Sequence, residues 1–311
     1  MLVQHQRLSK EGRQMATEVS KTKIMDGPSN QDHIAKKYKQ KLKFYKFLKA
    51  LPFWVLIIGF IMIILGMTLS VLLNAFSIQW FGTILPQHLS FDWFKKAWDQ
   101  YQIGMYYMIS MKITITSTLI SLILSIPGAY VLARKNFRFK SALISFYNLP
   151  FMLPEIAYAI PLASIFYSIG LAETVPGLVI AQMLIGIPFS IFILMPYIEA
   201  LDPRLEVAAQ TLGANKLNLF TRIIIPQLIP GITAAAINIF IRMFSTFLII
   251  LLIAGPETQT LPVMVFSVLT SAGNQPPQMI DAVTVSLMFP LLLFTFISLW
   301  ISSYAKRKTG K

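Results

Sequence analysis

Between Lys49 and Asp92 the chain carries no formal charge, and Leu51 to Phe76 is its most apolar stretch. A helix needs about 20 mostly apolar residues to cross a bilayer, and this run exceeds that. Five further windows repeat the pattern. Residues 113–133, 174–198 and 282–305 carry no charge, 141–172 carry only Glu155, and 232–254 carry only Arg242. In lipid, backbone groups find partners only inside a helix or a closed barrel. Barrel strands alternate with period two, and these runs do not. The spacing predicts an all-α membrane protein with six transmembrane helices.

Only 13% of the 311 residues are charged, about half the share in soluble domains. That excludes a soluble enzyme, a disordered chain and a nucleic-acid binder. Cysteine is absent and His5, His33 and His88 are scattered, so no metal site is expected. The first 50 residues hold 12 Lys/Arg against 4 acidic residues, and the positive-inside rule places them in the cytoplasm. Alternation then puts 134–140, 199–231 and the tail after Tyr304 inside too. Of the 27 basic residues, 23 fall in these inner segments. An odd number of spans would break that agreement, so both termini are cytoplasmic. The net charge of +14 orients the chain in its lipid bilayer, and no nucleic acid partner is implied.

Three regions follow. Residues 1–50 form a basic tail with an amphipathic helix near 34–49, where Ile34, Tyr38, Leu42, Tyr45 and Leu48 recur among seven lysines. Such a helix suits an anionic inner leaflet. Residues 51–305 form the transmembrane domain, and 306–311 a basic cytoplasmic tail.

The loop 199–231 is too organised to be a connector. Asp202 then Pro203 reads as a capping carboxylate followed by proline at the first helical position. Leu205, Ala208, Ala209 and Leu212 fall on one apolar face. Gly213 suits the left-handed residue after a helix end. Asn215 can cap a second short helix with Leu217, Phe220 and Ile224 on its stripe, which Pro226 is expected to stop. Apolar surface hanging in the cytoplasm marks a partner site.

This loop resembles the EAA loop of permease subunits of binding-protein-dependent type I ABC importers. The resemblance is carried by Val207-Ala208-Ala209, Gly213 and Ile223-Ile224-Ile225-Pro226, flanked by Leu201-Asp202-Pro203 and Pro230-Gly231. It extends over roughly residues 108–305. One position departs: Val207 stands where the motif has Glu. Glu206 is displaced by one residue, about 100° around a helix, so the ion pair made by relatives is expected to be absent.

The resemblance implies a MetI-like fold, with the loop fitting a cleft in a cytoplasmic ATPase. Its coupling residues would be Asp202, Pro203, Leu205, Glu206, Ala208, Ala209, Leu212, Gly213, Ala214, Phe220 and Pro226. The implied partners are an ABC ATPase dimer, a second permease subunit (identical or homologous) and an extracytoplasmic solute-binding protein, all at a bacterial cytoplasmic membrane. ATP and Mg²⁺ would sit on the ATPase, with no cofactor on this chain and no catalysis by it. The chain itself lacks the Gly-rich loop and lysine of a P-loop. Thr260-Leu261-Pro262 and Phe266-Ser267 look like the spermidine/putrescine branch, which makes a polyamine the first expected solute. Against it, Phe244-Ser245 is followed by Thr246, where that branch carries an acidic residue.

Glu155 and Arg242 lie inside expected spans, where a charge costs about 2.5–3.5 kcal/mol. They could pair with each other, line a solute path with Ser245 and Thr246, or snorkel to an interface. Pro150, Pro154 and Pro161 predict an interrupted third span. Thr114, Thr116, Thr118, Ser121 and Ser125 read as interhelical hydrogen-bonding groups, and the aromatics of 77–107 as an interfacial belt. Two other classes remain open. A self-sufficient secondary transporter would show internal repeats and more spans; a membrane scaffold would hold no ATPase.

Overall fold

The computed structural model describes residues 28–80, 83, 85, 86, 88–271, 273 and 275–309, with side chains described from 51 to 300. The chain divides into residues 1–69 and 70–311.

The first helix, α1 (Pro28–Ala75), is a single 48-residue helix. The stretch near 34–49 is helical within it and leads into the first span; its side chains, and residues 1–27 of the tail, lie outside the described residues. Leu51–Ala75 is the crossing segment, long and apolar enough to span a bilayer. Its Phe53, Leu56, Phe60, Met62 and Met67 are exposed, as residues facing lipid are.

The second unit is a helical bundle. Among the described residues its extended structure is one bridge, Ser77 with Leu89. After α2 (Asp92–Gln100) come α3 (Ile103–Arg134), α4 (Lys140–Met152), α5 (Glu155–Ser168) and α6 (Val175–Glu199). The chain continues with α7 (Pro203–Thr211), α8 (Lys216–Leu219), α9 (Ile225–Phe244), α10 (Leu248–Ile253), α11 (Leu261–Thr270) and α12 (Pro277–Thr309).

Among the described residues, five segments are long and apolar enough to cross a membrane: Leu51–Ala75, Ile103–Arg134, Val175–Glu199, Lys216–Phe244 and Pro277–Trp300. The pair α4 and α5 is bent by 98° at Leu153-Pro154. Proline clashes with the carbonyl four residues back and disfavours helix before it, so Pro154 ends α4 as its position predicts. Counting the bent pair as one span gives six, the even number the charge distribution requires.

Three boundaries move. Span two starts ten residues earlier than its charge-free window, at Ile103. Span five occupies Lys216–Phe244 rather than 232–254, so the second helix of the cytoplasmic loop is the beginning of that span. Pro226 does not stop it. A wider turn at Phe220–Ile224 lets the Ile225 N–H reach the Phe220 carbonyl, and this π-type bulge makes room for the proline ring.

Lipid is as apolar as leucine, so the bundle is held by close packing and hydrogen bonds. Helices α3 and α6 run along each other. Ser110, Thr114, Ser117, Thr118, Ser121 and Ser125 are buried on α3. Ser125 Oγ donates to the Ile187 carbonyl at 3.1 Å, and Ser110 Oγ accepts the Leu261 N–H at 2.7 Å. The hydroxyls of span two are packing groups, as expected; Thr116 alone of that set points outward. On the outer side, Phe76, Phe91 and Phe94 form an aromatic cluster. Asn74 donates to Asp281 at 2.5 Å, tying the end of α1 to α12.

Candidate functional site

The cytoplasmic hairpin is built from local signals. Asp202 accepts the Arg204 N–H through its side chain at 2.9 Å, with Pro203 at the first helical position. Beyond α7, Gly213 has φ +82°. Its N–H bonds the Gln210 carbonyl and the Ala214 N–H bonds the Ala209 carbonyl, the paired closure of a Schellman end. Asn215 then accepts the Asn218 N–H at 2.7 Å and starts α8.

The expected apolar face of α7 divides in two. Ala209 packs into the core with Leu219, Ile224, Leu132 and Ile198, and Ala214 and Phe220 lie against that core. Leu205, Val207, Ala208, Leu212 and Leu217 face outward. Leu212 is 88% exposed, Leu217 70% and Val207 61%, so the hairpin offers an apolar surface on the side away from the bundle.

Glu206 is not idle. Its carboxylate sits 2.9 Å from Arg134 Nε, both side chains being largely buried. Tyr130 donates its hydroxyl to the other carboxylate oxygen at 2.7 Å, and Arg134 Nη2 donates to the Leu201 carbonyl at 2.6 Å. One position's displacement turns this carboxylate inward, onto the cytoplasmic end of α3. The chain thus has an internal ion pair at the loop, which the sequence argument did not foresee.

Within the membrane the structure does not bring Glu155 and Arg242 together as an ion pair. Glu155, at the first position of α5, accepts the Ile249 N–H at 3.3 Å instead. Arg242 is exposed in the last turn of α9. Its carbonyl accepts the hydroxyls of Ser245 at 3.0 Å and Thr246 at 3.1 Å. The four expected pathway residues therefore gather around a gap between α9 and α10. Gln182, absent from the sequence argument, joins them: Nε2 donates to the Met243 carbonyl at 3.2 Å.

Residues 125–311 match the family described as "Binding-protein-dependent transport system inner membrane component". The chain belongs to that family. The permease is 29% identical over 218 residues to the trehalose transport system permease protein SugB of Mycobacterium tuberculosis, covering 70% of this chain and 80% of that one. It is 27% identical to the sulfate transport system permease protein CysT of Salmonella typhimurium over 236 residues, covering 69% and 84%. Among solved structures, a bacterial ABC transporter involved in the import of the acidic polysaccharide alginate superposes with a TM-score of 0.67 at 18% identity, covering 82% of this chain and 95% of that one. The match with that transporter shows the fold. The permease is an ABC importer subunit of a binding-protein-dependent system and a multi-pass inner-membrane protein, in a family of transport permeases rather than catalytic subunits.

Proposed function

We propose that this permease couples a cytoplasmic ATPase to solute passage through the hairpin 199–231. One observation carries this reading: a rigid, doubly capped helix anchored by Glu206 and Ala209, with Leu205, Val207, Leu212 and Leu217 left exposed. Exposed apolar surface of this kind is characteristic of a partner seat, and the resemblance to the EAA loop names the partner as an ABC ATPase dimer. ATP and Mg²⁺ belong to that ATPase. A second permease subunit completes the path, and an extracytoplasmic binding protein delivers a small polar solute.

The test is co-purification and coupled uptake with Leu212→Asp. Ala209 is 5% exposed and part of the core, so a charge there would damage the hairpin itself. Leu212 is free of that objection. The variant should insert normally yet lose its ATPase partner and ATP-driven uptake. Uptake that persists with no ATPase bound would instead favour a secondary transporter, and a complex indifferent to Leu212→Asp would remove the proposed seat.

For the solute, the polyamine expectation has the support of Thr260-Leu261-Pro262 and Phe266-Ser267. The relatives named above are a trehalose and a sulfate system. An uptake panel of spermidine, trehalose and sulfate decides among them, and spermidine uptake no higher than background ends the polyamine reading.

A further inference from the structure

Directly after span five, which ends at Phe244, the helix breaks where its own sequence gives no reason. The residues Phe244-Ser245-Thr246-Phe247 include neither glycine nor proline, yet α9 ends at Phe244 and α10 begins at Leu248. A break between two helices frees carbonyls and amides that must find partners outside the helix ladder. Here they are satisfied from three sides. Ser245 and Thr246 turn back onto the Arg242 carbonyl. Gln182, 61 residues away on α6, donates to the Met243 carbonyl. Glu155, 94 residues away at the start of α5, accepts the Ile249 N–H. Gln182 is 2% exposed, so its amide N–H is committed to this contact.

The two distant side chains therefore bracket the gap, one before it and one after it. Glu155 itself stands at the other interruption, directly after Pro154. Two broken segments are joined by a carboxylate.

We propose that Glu155 and Gln182 are positioning residues that hold the turn Ser245–Phe247 open at the end of span five, making the gap a water-facing element of the solute path. The proposal rests on the permease reading above. It gives Glu155 a different part from the one its charge suggests. The Ile249 N–H needs an oxygen acceptor, and a neutral amide supplies one as well as a carboxylate does. Alanine supplies none. The Met243 carbonyl also accepts the Thr246 N–H at 3.1 Å, so Gln182 adds a second donor that ties α6 to the turn, a tie that leucine at 182 cannot make.

The absence of cysteine makes the test direct. Ser245 is exposed, and Ser245→Cys gives a chain with one thiol, which is exposed in membranes to a membrane-impermeant methanethiosulfonate reagent. The thiol should react. Adding Glu155→Gln should leave its rate within about two-fold, whereas Glu155→Ala or Gln182→Leu should change it about tenfold, the scale of one lost hydrogen bond to a buried group. A thiol that never reacts, or a rate indifferent to both Glu155→Ala and Gln182→Leu, overturns the proposal. If Glu155→Ala fails to accumulate, Gln182→Leu carries the same reading.

A second arm uses the assembled importer with the natural Ser245. Glu155→Gln should keep both KM and turnover for the transported solute, while Glu155→Ala loses turnover. Loss of uptake in Glu155→Gln with labelling unchanged would make the carboxylate a cargo ligand and sink the positioning role. Failure of the chain to assemble with any ATPase would remove the proposed ATPase coupling instead, and the labelling arm would still report on the clamp.

Discussion

Glu206→Ala is expected to loosen the coupling hairpin without disturbing the spans. The carboxylate holds two partners, Arg134 Nε at 2.9 Å and the Tyr130 hydroxyl at 2.7 Å. The Tyr130 hydrogen bond to the charged carboxylate is worth about 1.5–3 kcal/mol, and removing one member of a fully buried ion pair costs about 3–5 kcal/mol. The side chains of Arg134 and Glu206 are 14% and 16% exposed, so water recovers part of that. A cost of about 2–3 kcal/mol is the reasonable scale for alanine. Glu206→Gln keeps an oxygen for Tyr130 and should cost about 1–2 kcal/mol.

With about 1.36 kcal/mol per decade, the undocked hairpin becomes about 30- to 150-fold more populated with alanine. Glutamine should raise it about 5- to 30-fold on the same scale. Arg204 and Lys216 supply the readout, since both lie on exposed parts of the hairpin. Trypsin cleavage after them in inside-out vesicles should accelerate in that order, because cleavage of a rapidly opening segment tracks the open population. Arg134→Met combined with Glu206→Gln should show coupling of about 1–2 kcal/mol in a double-mutant cycle. If Glu206→Ala cleaves no faster than the parent, the packing of Ala209 and Leu219 holds the hairpin alone, and the argument from the ion pair is wrong.

Two further outcomes follow from close approach and burial. A Cβ on Gly177 would lie 1.9 Å from the Leu171 carbonyl oxygen, whereas one on Gly186 would meet the flexible end of Met243 at 1.9 Å. Overpacking costs about 1–3 kcal/mol and more when backbone must move, so thermal unfolding in detergent should fall more for Gly177→Ala than for Gly186→Ala; the reverse order would contradict the geometry. Ser110→Ala strips the Leu261 N–H of its acceptor and should cost about 1–3 kcal/mol in the same assay, while Thr116→Ala, on an outward face, should be near neutral.

The parts of this chain legible in sequence are those whose causes are local. Asp202-Pro203, Gly213 and Asn215 each act on backbone within four residues, and each forms the cap or turn expected of it. Pro226 is a different case, since proline alone does not end a helix in this chain: Pro127, Pro188 and Pro230 all lie inside helices. One widened turn before it, at Phe220–Ile224, removes the clash, and nothing in the composition signals that turn. Glu206 was misjudged for another reason. Its partners Tyr130 and Arg134 lie on α3, Tyr130 being 76 residues earlier. One sequence contains no term that brings them together.

The two helix breaks show the same division. The break between α4 and α5 has a cause at its own position: Pro154 disfavours helix at Leu153, where the bend falls. The break between α9 and α10 lies in a run of aromatic and hydroxyl residues that hydropathy reads as one span, and it exists through Gln182 on α6 and Glu155 on α5. An interruption coded by proline survives changes in its surroundings, whereas one held by two distant side chains can be released by changing either. The lone acid at the first break supplies one of those side chains. Arg242 is then left as the exposed charge at the second. A substitution at Glu155 consequently tests the geometry of the turn after span five, and a substitution at Arg242 tests the charge presented to whatever passes it. Glu155→Gln and Arg242→Gln should therefore separate, the first leaving solute selection unchanged and the second altering it. Identical effects on uptake and on solute preference would show that the two charges act as one unit despite their separation.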